Sequence, residues 1–254
     1  MKVLAIARNT FREAVRDRVV HILLVFSLIL IVGSRVLSPL ALGEGVKITK
    51  DLGLSLISLF GLLVVIFVGS SLVHKEVERR TIYILLSKPI RRWEFLIGKF
   101  TGMAAVLGAV TALMLGVLLA LLVATGAGYD GGVVVAAGLV AVELVVMTAV
   151  ALLFSTFTTP TLSAVFTLAL YMVGHLSGDL LEFARAVPNP ANRIASEILY
   201  CVLPNLEMLN VRAEVVHGLE LGPMRVAAAV AYAALYTLFL LGTGSVILSR
   251  RDFR

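Results

Sequence analysis

The chain has 254 residues, of which 59% are apolar and only 15% are charged, and its mean hydropathy is +1.01. Soluble domains contain about 25% charged residues, and a soluble fold this apolar could not cover its surface with polar groups. The composition therefore predicts an integral membrane protein. The net charge of +6 does not indicate nucleic-acid binding, because the cations lie at the ends of apolar runs and do not alternate with aromatic residues.

Residues 2–18 have the spacing of an amphipathic helix. One face carries Leu4, Ala7, Phe11 and Ala14 or Val15, and the other carries Arg8, Arg12 and Arg16. An ordinary solvated helix is the alternative, but the apolar run that follows favours a helix lying in the membrane interface. That run is about 20 residues long, longer than the core of a signal peptide, so we expect an anchor and no cleavable signal.

Apolar runs long enough to cross a membrane recur along the chain, since about 20 helical residues span a hydrocarbon core of about 30 Å. We predict an all-α protein with six transmembrane helices, at residues 19–37, 52–73, 95–125, 133–157, 162–177 and 225–248. The chain then forms a single transmembrane domain, 1–254. It comprises the amphipathic helix 1–18, spans one to five within 19–177, an external segment 178–224, and the sixth span with a tail in 225–254.

Lys and Arg residues predict the orientation, because short loops rich in them stay in the cytoplasm. Six spans place 15 of the 22 Lys and Arg residues on one side, which is therefore the cytoplasmic side of the inner, or plasma, membrane. Both termini and the charged segment 74–99 lie on that side. In the external segment, 194–202 and 206–216 have helical apolar spacing and predict short re-entrant helices.

Small residues mark close helix packing and turns. Span three carries a stripe of small residues at four-residue spacing, Ala104, Gly108, Ala112, Gly116 and Ala120. A glycine pair, Gly98 and Gly102, lies below this stripe, and a second pair, Gly174 and Gly178, lies in span five. Whether the helix that docks on the stripe belongs to this chain or to a second copy is open. Gly126, Gly128 and Gly131 match GxGxxG in spacing alone, and their position between two spans indicates a turn.

Glu143 is the one carboxylate deep inside an apolar run, so it should face protein or water and not lipid. It is either part of the cargo path, with proton sensitivity, or a structural glutamate that hydrogen-bonds neighbouring helices. No catalytic residue is predicted, and the absence of a GxxxxGK phosphate loop means that ATP would be hydrolysed by another chain. The four His residues and the single Cys201 lack metal-ligand spacing, so no metal site is predicted.

The charged segment 74–99 carries motifs similar to those of the type-2 ATP-binding-cassette (ABC) exporter permease family. They are Glu76-Val-Glu78-Arg79-Arg80-Thr81-Ile82, Leu85-Leu86-Ser87-Lys88-Pro89, Arg92 and Gly98-Lys99-Phe100. The size and loop pattern of the whole chain resemble those of the branch of this family that serves nitrous-oxide-reductase maturation. The resemblance implies a permease that binds an ABC ATPase subunit and a second permease copy, identical or similar, with ATP and Mg on the ATPase and no cofactor of its own.

In that family the segment after span two forms a coupling helix in a groove of the ATPase, here at about 76–86. The residues expected to bind the ATPase are Glu76, Glu78, Arg80, Thr81, Ile82, Leu85, Leu86 and Pro89. A second, shorter cytoplasmic contact is expected at the turn 155–161, where Pro160 predicts a helix break. Two other functions stay open: a non-transporting anchor that transmits ATPase motion to an external partner, and, less favoured, an ion-coupled secondary transporter.

Overall fold

The structure is a computed structural model that describes residues 2–37, 44–72, 91–178 and 203–250. Within these ranges the chain forms helices and no strand. The helices are α1 (Lys2–Val15), α2 (Arg18–Leu37), α3 (Gly45–Val64) continued by a π-helical turn (Val65–Gly69), α4 (Arg92–Ala124), α5 (Gly131–Ser155), α6 (Pro160–His175), a 3-10 turn (Glu207–Leu209), α7 (Arg212–Val216) and α8 (Pro223–Arg250).

Five of these helices are long and apolar enough to cross a membrane: Arg18–Val36, Gly45–Gly69, Arg92–Ala124, Gly131–Ser155 and Pro223–Ser249. The fifth predicted span corresponds to α6, an apolar helix of only 16 residues. Helices suit this environment because they satisfy their own backbone polar groups where lipid offers no partner. The predicted boundaries lie within three residues of the observed ones except at α3, which begins seven residues earlier because Lys47 and Lys50 extend the helix beyond its apolar run.

Helix α5 lies at the centre of the bundle. In its most apolar window 67% of the residues are buried, against 22% in α2 and in α8. It packs against α3, α4, α6 and α8, and the side chains of Leu144, Met147 and Leu152 are completely buried. A carboxylate on this helix is therefore surrounded by protein.

The amphipathic helix α1 packs across the first turns of α4 at Gly98 and Gly102. A Cβ on Gly98 would lie 2.7 Å from the Cβ of Ile6, and one on Gly102 would lie 2.6 Å from the carbonyl oxygen of Ala7. Only glycine allows the two backbones to approach this closely. The glycine pair noted in the sequence thus holds the N-terminal helix.

This contact divides the apolar face expected for α1. The buried residues are Thr10 and Ala14, whereas Leu4 is 74% exposed and Val15 is 39% exposed. Ile6 lies against Gly98 and Thr10 against Gly102, Phe11 is half-buried, and Leu4 and Val15 turn outward. The exposed edge has the composition of a helix surface in contact with a membrane interface.

Residues 203–216 pack back against the bundle. A Cβ on Gly174 would lie 2.8 Å from Leu206 Cδ1, and one on Gly132 would lie 3.3 Å from Val215 Cγ1, so this stretch runs along α6 and α5. The helical spacing predicted for 206–216 is realised as the 3-10 turn and α7, separated at Asn210. The helix expected at 194–202 lies outside the described residues.

The link between α4 and α5 is a turn, as the sequence indicates. Gly126 and Gly128 have φ of 78° and 75°, a conformation that favours glycine. Asp130 then begins α5: its Oδ1 accepts a hydrogen bond from the Gly132 N–H at 2.8 Å, and its Oδ2 lies 2.5 Å from Lys50 Nζ on α3. Burial raises the pKa of Asp130, but the Lys50 and Gly132 hydrogen bonds outweigh it and hold that pKa below its usual value.

The α1 contact predicts a specific effect of Gly102→Ala. The added methyl group would meet the Ala7 carbonyl, which is backbone and cannot rotate away, so we expect a loss of roughly 1–3 kcal/mol from overpacking. Thermal unfolding in detergent measures the loss. Gly138→Ala on α5 is the control, since nothing lies within 4 Å of its Cβ and it lies outside the small-residue stripe. Equal midpoints for the two variants would contradict the contact.

The Lys50–Asp130 pair predicts a pH-dependent stability. Because the folded pKa of Asp130 is lowered, its contribution is present above the unfolded pKa and is lost as the pH falls through the folded pKa. Asp130→Asn keeps a capping side chain and removes only the charge. Near pH 6 we expect the variant to be about 1 kcal/mol less stable than wild type. When the pH is lowered to about 3, the variant should lose less additional stability than wild type loses. Unfolding midpoints that fall in parallel for both proteins would show that the pair contributes nothing.

Candidate functional site

The residues expected to bind an ATPase, Glu76, Glu78, Arg80, Thr81, Ile82, Leu85, Leu86 and Pro89, lie outside the described residues. The structure does describe the helix ends from which that segment leaves and to which it returns. These ends are the π-helical turn after α3 and the first turn of α4. Their geometry shows how firmly the segment is attached to the bundle.

The end of α3 is buried and internally hydrogen-bonded. Ser70 Oγ donates to the Ile66 carbonyl at 2.5 Å, and Ser71 Oγ donates to the Val68 carbonyl at 3.1 Å. At Gly69 the turn lies against α5, where an added Cβ would be 3.4 Å from the Cβ of Ala151. The chain therefore leaves the bundle from a fixed point on the central helix.

The start of α4 is bonded to the end of α8. The Arg91 N–H donates to Glu94 Oε2 at 2.8 Å, which caps the helix. The Arg92 guanidinium donates to the carbonyls of Leu248 and Ser249, at 2.5 Å and 2.8 Å. A cation at the carbonyl end of a helix is favourable, because the last turn has unpaired acceptors and a partial negative charge. Arg92 therefore joins the segment's return point to the last turn of α8.

The turn between α5 and α6 lies at the same end of the bundle. Helix α5 ends at Ser155 and α6 begins at Pro160, so the helix break expected from the sequence is confirmed. Thr159 caps α6 by accepting a hydrogen bond from the Leu162 N–H, and Ser163 Oγ donates to the Ala151 carbonyl at 3.1 Å. The turn is therefore closely tied to α5.

A second polar site lies around Glu143, on the central helix. Its side chain is 2% exposed, and its Oε1 lies 3.5 Å from Nε2 of His175 on α6. The Tyr171 hydroxyl is near enough to its carboxyl group to interact with it, and Oε1 has no hydrogen-bond partner in the described ranges. The carboxylate thus faces protein, as expected, and lies between α5 and α6.

The polar contacts continue from Tyr171 to α3 and on to α7. The Tyr171 hydroxyl lies 3.0 Å from Ser58 Oγ. Nearer the α7 end of the bundle, Arg212 donates to Ser55 Oγ at 2.6 Å, and its Nε lies 3.5 Å from Asp51 Oδ1. We call Ser58, Tyr171, Glu143 and His175 the buried cluster. The cluster joins α3, α5 and α6, and Arg212 with its partners joins α3 to α7.

Sequence reasoning found only Glu143 of this group. It placed His175 near the end of a span and did not consider Tyr171, Ser58 or Arg212. A signal was present, because Tyr171 and His175 are four residues apart in an otherwise apolar helix and so share one face. Their approach to Glu143, however, requires three helices to pack in a particular register, which one sequence does not specify.

Away from the buried cluster, the helices enclose an apolar cavity. A cavity of 480 Å³ lies between α4, α5 and α8 and includes Ala104 and Gly108 of the small-residue stripe among its lining residues. Nothing lies within 4 Å of a Cβ built on Gly108 or Gly116, so in a single chain this stripe is largely open.

In the described part of the chain no three His, Cys, Asp or Glu side chains are grouped so that they could hold a metal ion.

Comparison with protein families matches residues 4–253 to the ABC-2 family transporter protein. The chain belongs to this family. The match covers the charged segment, the bundle and α8, and so supports the resemblance drawn from residues 76–100. A search of curated proteins found no match. The ABC-2 chain is thus a multi-pass ABC transporter permease, the membrane subunit of a family in which the partner is an ATPase.

Proposed function

We propose that this ABC-2 chain moves a cargo across the plasma membrane when a separate ATPase subunit, which holds ATP and Mg, hydrolyses ATP. The observation that carries the proposal is the family match over residues 4–253. In this proposal α6 is a sixth, short span, residues 178–224 fold back on the external face as short helices, and both termini are cytoplasmic. Size and loop pattern resemble the nitrous-oxide-reductase maturation branch, and the cargo itself is left open.

The segment 76–86 is the proposed contact with the ATPase. Its apolar residues Ile82, Leu85 and Leu86 can be buried against a partner, while Glu76, Glu78, Arg80 and Thr81 surround them and Pro89 ends the helix. The helix ends on either side support this role. One is fixed to α5 at Gly69, and the other is bonded to α8 through Arg92. A displacement of the segment would act directly on helices of the bundle.

A second copy of a permease chain is part of the proposal. The small-residue stripe on α4 is the feature that supports it, since helices in lipid associate through small residues that let backbones approach. Two residues of the stripe, Gly108 and Gly116, have no atoms within 4 Å of an added Cβ. The stripe is therefore available to a helix from another chain.

The cargo path is proposed to pass Glu143 when α6 separates from α5. In the described conformation the residue is enclosed, so the path is closed at this level. The alternatives are an anchor that only transmits motion outward and an ion-coupled transporter. Both are less well supported, because the ABC-2 match implies an ATPase and transport.

Exchange of Leu85 and Leu86 for Asp tests the coupling assignment. Charging an apolar contact disfavours its burial, so we expect the double variant to insert in the membrane but to lose co-purification of its ABC ATPase subunit by at least tenfold. Leu219→Asp is the control, since Leu219 is 61% exposed and lies in the segment opposite. Undiminished ATPase recovery with the double variant would remove segment 76–86 from the interface.

Chemical labelling tests the path. In a Cys201→Ser background, Glu143→Cys should react with a membrane-impermeant maleimide only when the ATPase complex turns over ATP. Leu144→Cys, on the same turn and completely buried, is the matched control. We expect at least tenfold faster labelling of the first variant with ATP and slow labelling of both without it. Equal rates at the two positions with ATP would exclude Glu143 from the path.

A further inference from the structure

Glu143 is a buried acid that faces a partly exposed base, His175. Glu143 is 2% exposed and the His175 side chain is 26% exposed, and 3.5 Å separate Oε1 from Nε2. An ionised carboxylate enclosed in this way is costly unless it is well hydrogen-bonded. Oε1 has no such partner among the described residues. A carboxylic acid at Oε1, by contrast, would have an acceptor facing it if Nε2 carries no proton.

The contact of the other ring nitrogen identifies the tautomer of an uncharged His175. His175 Nδ1 lies 3.2 Å from the Tyr171 carbonyl oxygen, one turn earlier in α6. A carbonyl oxygen only accepts, so Nδ1 carries a proton, and in an uncharged ring Nε2 then has a free lone pair. The ring packs against the Tyr171 ring at an interplanar angle of 47°, with centroids 4.5 Å apart. The geometry therefore presents a proton acceptor to Glu143.

The hydroxyl groups near the Glu143 carboxyl group are also consistent with a proton on Oε1. The Tyr171 hydroxyl lies 3.0 Å from Ser58 Oγ, and it is near enough to the Glu143 carboxyl group to interact with it. If Ser58 donates to the Tyr171 oxygen, the Tyr171 hydroxyl is free to donate toward the second oxygen of Glu143. That leaves Oε1 as the atom that holds a proton. Each member of the buried cluster then has one consistent role.

Most charged groups on the elements packed around the cluster already have partners. On α3, Lys50 pairs with Asp130 and Asp51 with Arg212; in α7, Glu214 pairs with Arg225 of α8. In the 3-10 turn, Glu207 is exposed and bonded to Asn210. On α4, the ion pair of Lys99 is with Glu13 of α1. In the described ranges, Arg212 and Glu207 are the charged groups that act on Glu143, with opposite signs.

We propose that Glu143 and His175 form an intramembrane proton site, in which the pair holds one proton on Glu143 Oε1 that is directed at His175 Nε2. With one proton the pair is neutral, and it gains or loses charge only when α6 moves from α5 and water enters. The site deepens the proposed function, because such a movement is the one that would open the path. The proton itself would come from and return to water.

Infrared spectroscopy of the full chain in phosphatidylcholine vesicles tests the site. At neutral pH the wild type should show a carboxylic-acid C=O band that disappears in Glu143→Gln. In His175→Leu the band should remain but move to higher frequency, because the acid has lost its acceptor. Glu214→Gln, at a carboxylate paired with Arg225, and His217→Leu, at an exposed histidine, are the controls and should leave the band unchanged.

Two results would overturn the proposal. Identical wild-type and Glu143→Gln spectra would show that Glu143 carries no proton, and an unshifted band in His175→Leu would show that His175 does not share it. The measurement needs neither ATPase nor cargo. A failure here therefore leaves the permease function intact, and a failed ATPase co-purification leaves the proton site intact.

Discussion

Close approach of backbones at glycine is the constraint on which this structure depends. In lipid, the hydrophobic effect does not drive one apolar helix against another, so packing contacts must hold the bundle. At Gly98 and Gly102 this approach holds α1 against α4, and at Gly174 it holds residues 204–206 against α6. The elements that are not spans are thus attached to the spans through glycine.

The helix ends on either side of the charged segment are packed or hydrogen-bonded to other helices. A Cβ on Gly69 would be in van der Waals contact with α5, and Arg92 is bonded to the last turn of α8. Arg92 bonds carbonyl groups that an ordinary helix end leaves unpaired, so the contact satisfies acceptors that would otherwise need water. Under the proposed contact of segment 76–86 with an ATPase, a displacement there would act on α3 at one flank and on α4 and α8 at the other.

Much of the fold could be predicted from the sequence, because hydropathy over about 20 residues reflects the thickness of the bilayer directly. The ends of α2, α4, α5 and α8 and the break at Pro160 are cases in which a local signal suffices. The early start of α3 was missed because a lysine such as Lys50 normally indicates the end of an apolar span. Its partner Asp130, 80 residues away, could not be identified from the sequence. The buried face of α1 was missed for a similar reason, since it depends on glycines of α4.

The buried cluster shows the same limit at the site. Hydropathy identified Glu143 as exceptional but could not identify its partners, which come from α3 and α6 and meet only after the bundle has formed. Ser58 lies within α3, whereas Tyr171 and His175 lie in the last turns of α6, at the opposite end from Pro160. The cluster is therefore separated along both helices from the helix ends near which segment 74–99 leaves the bundle. A displacement at those ends would reach Glu143 only through movement of whole helices, and the proposed proton site is where such a movement would admit water.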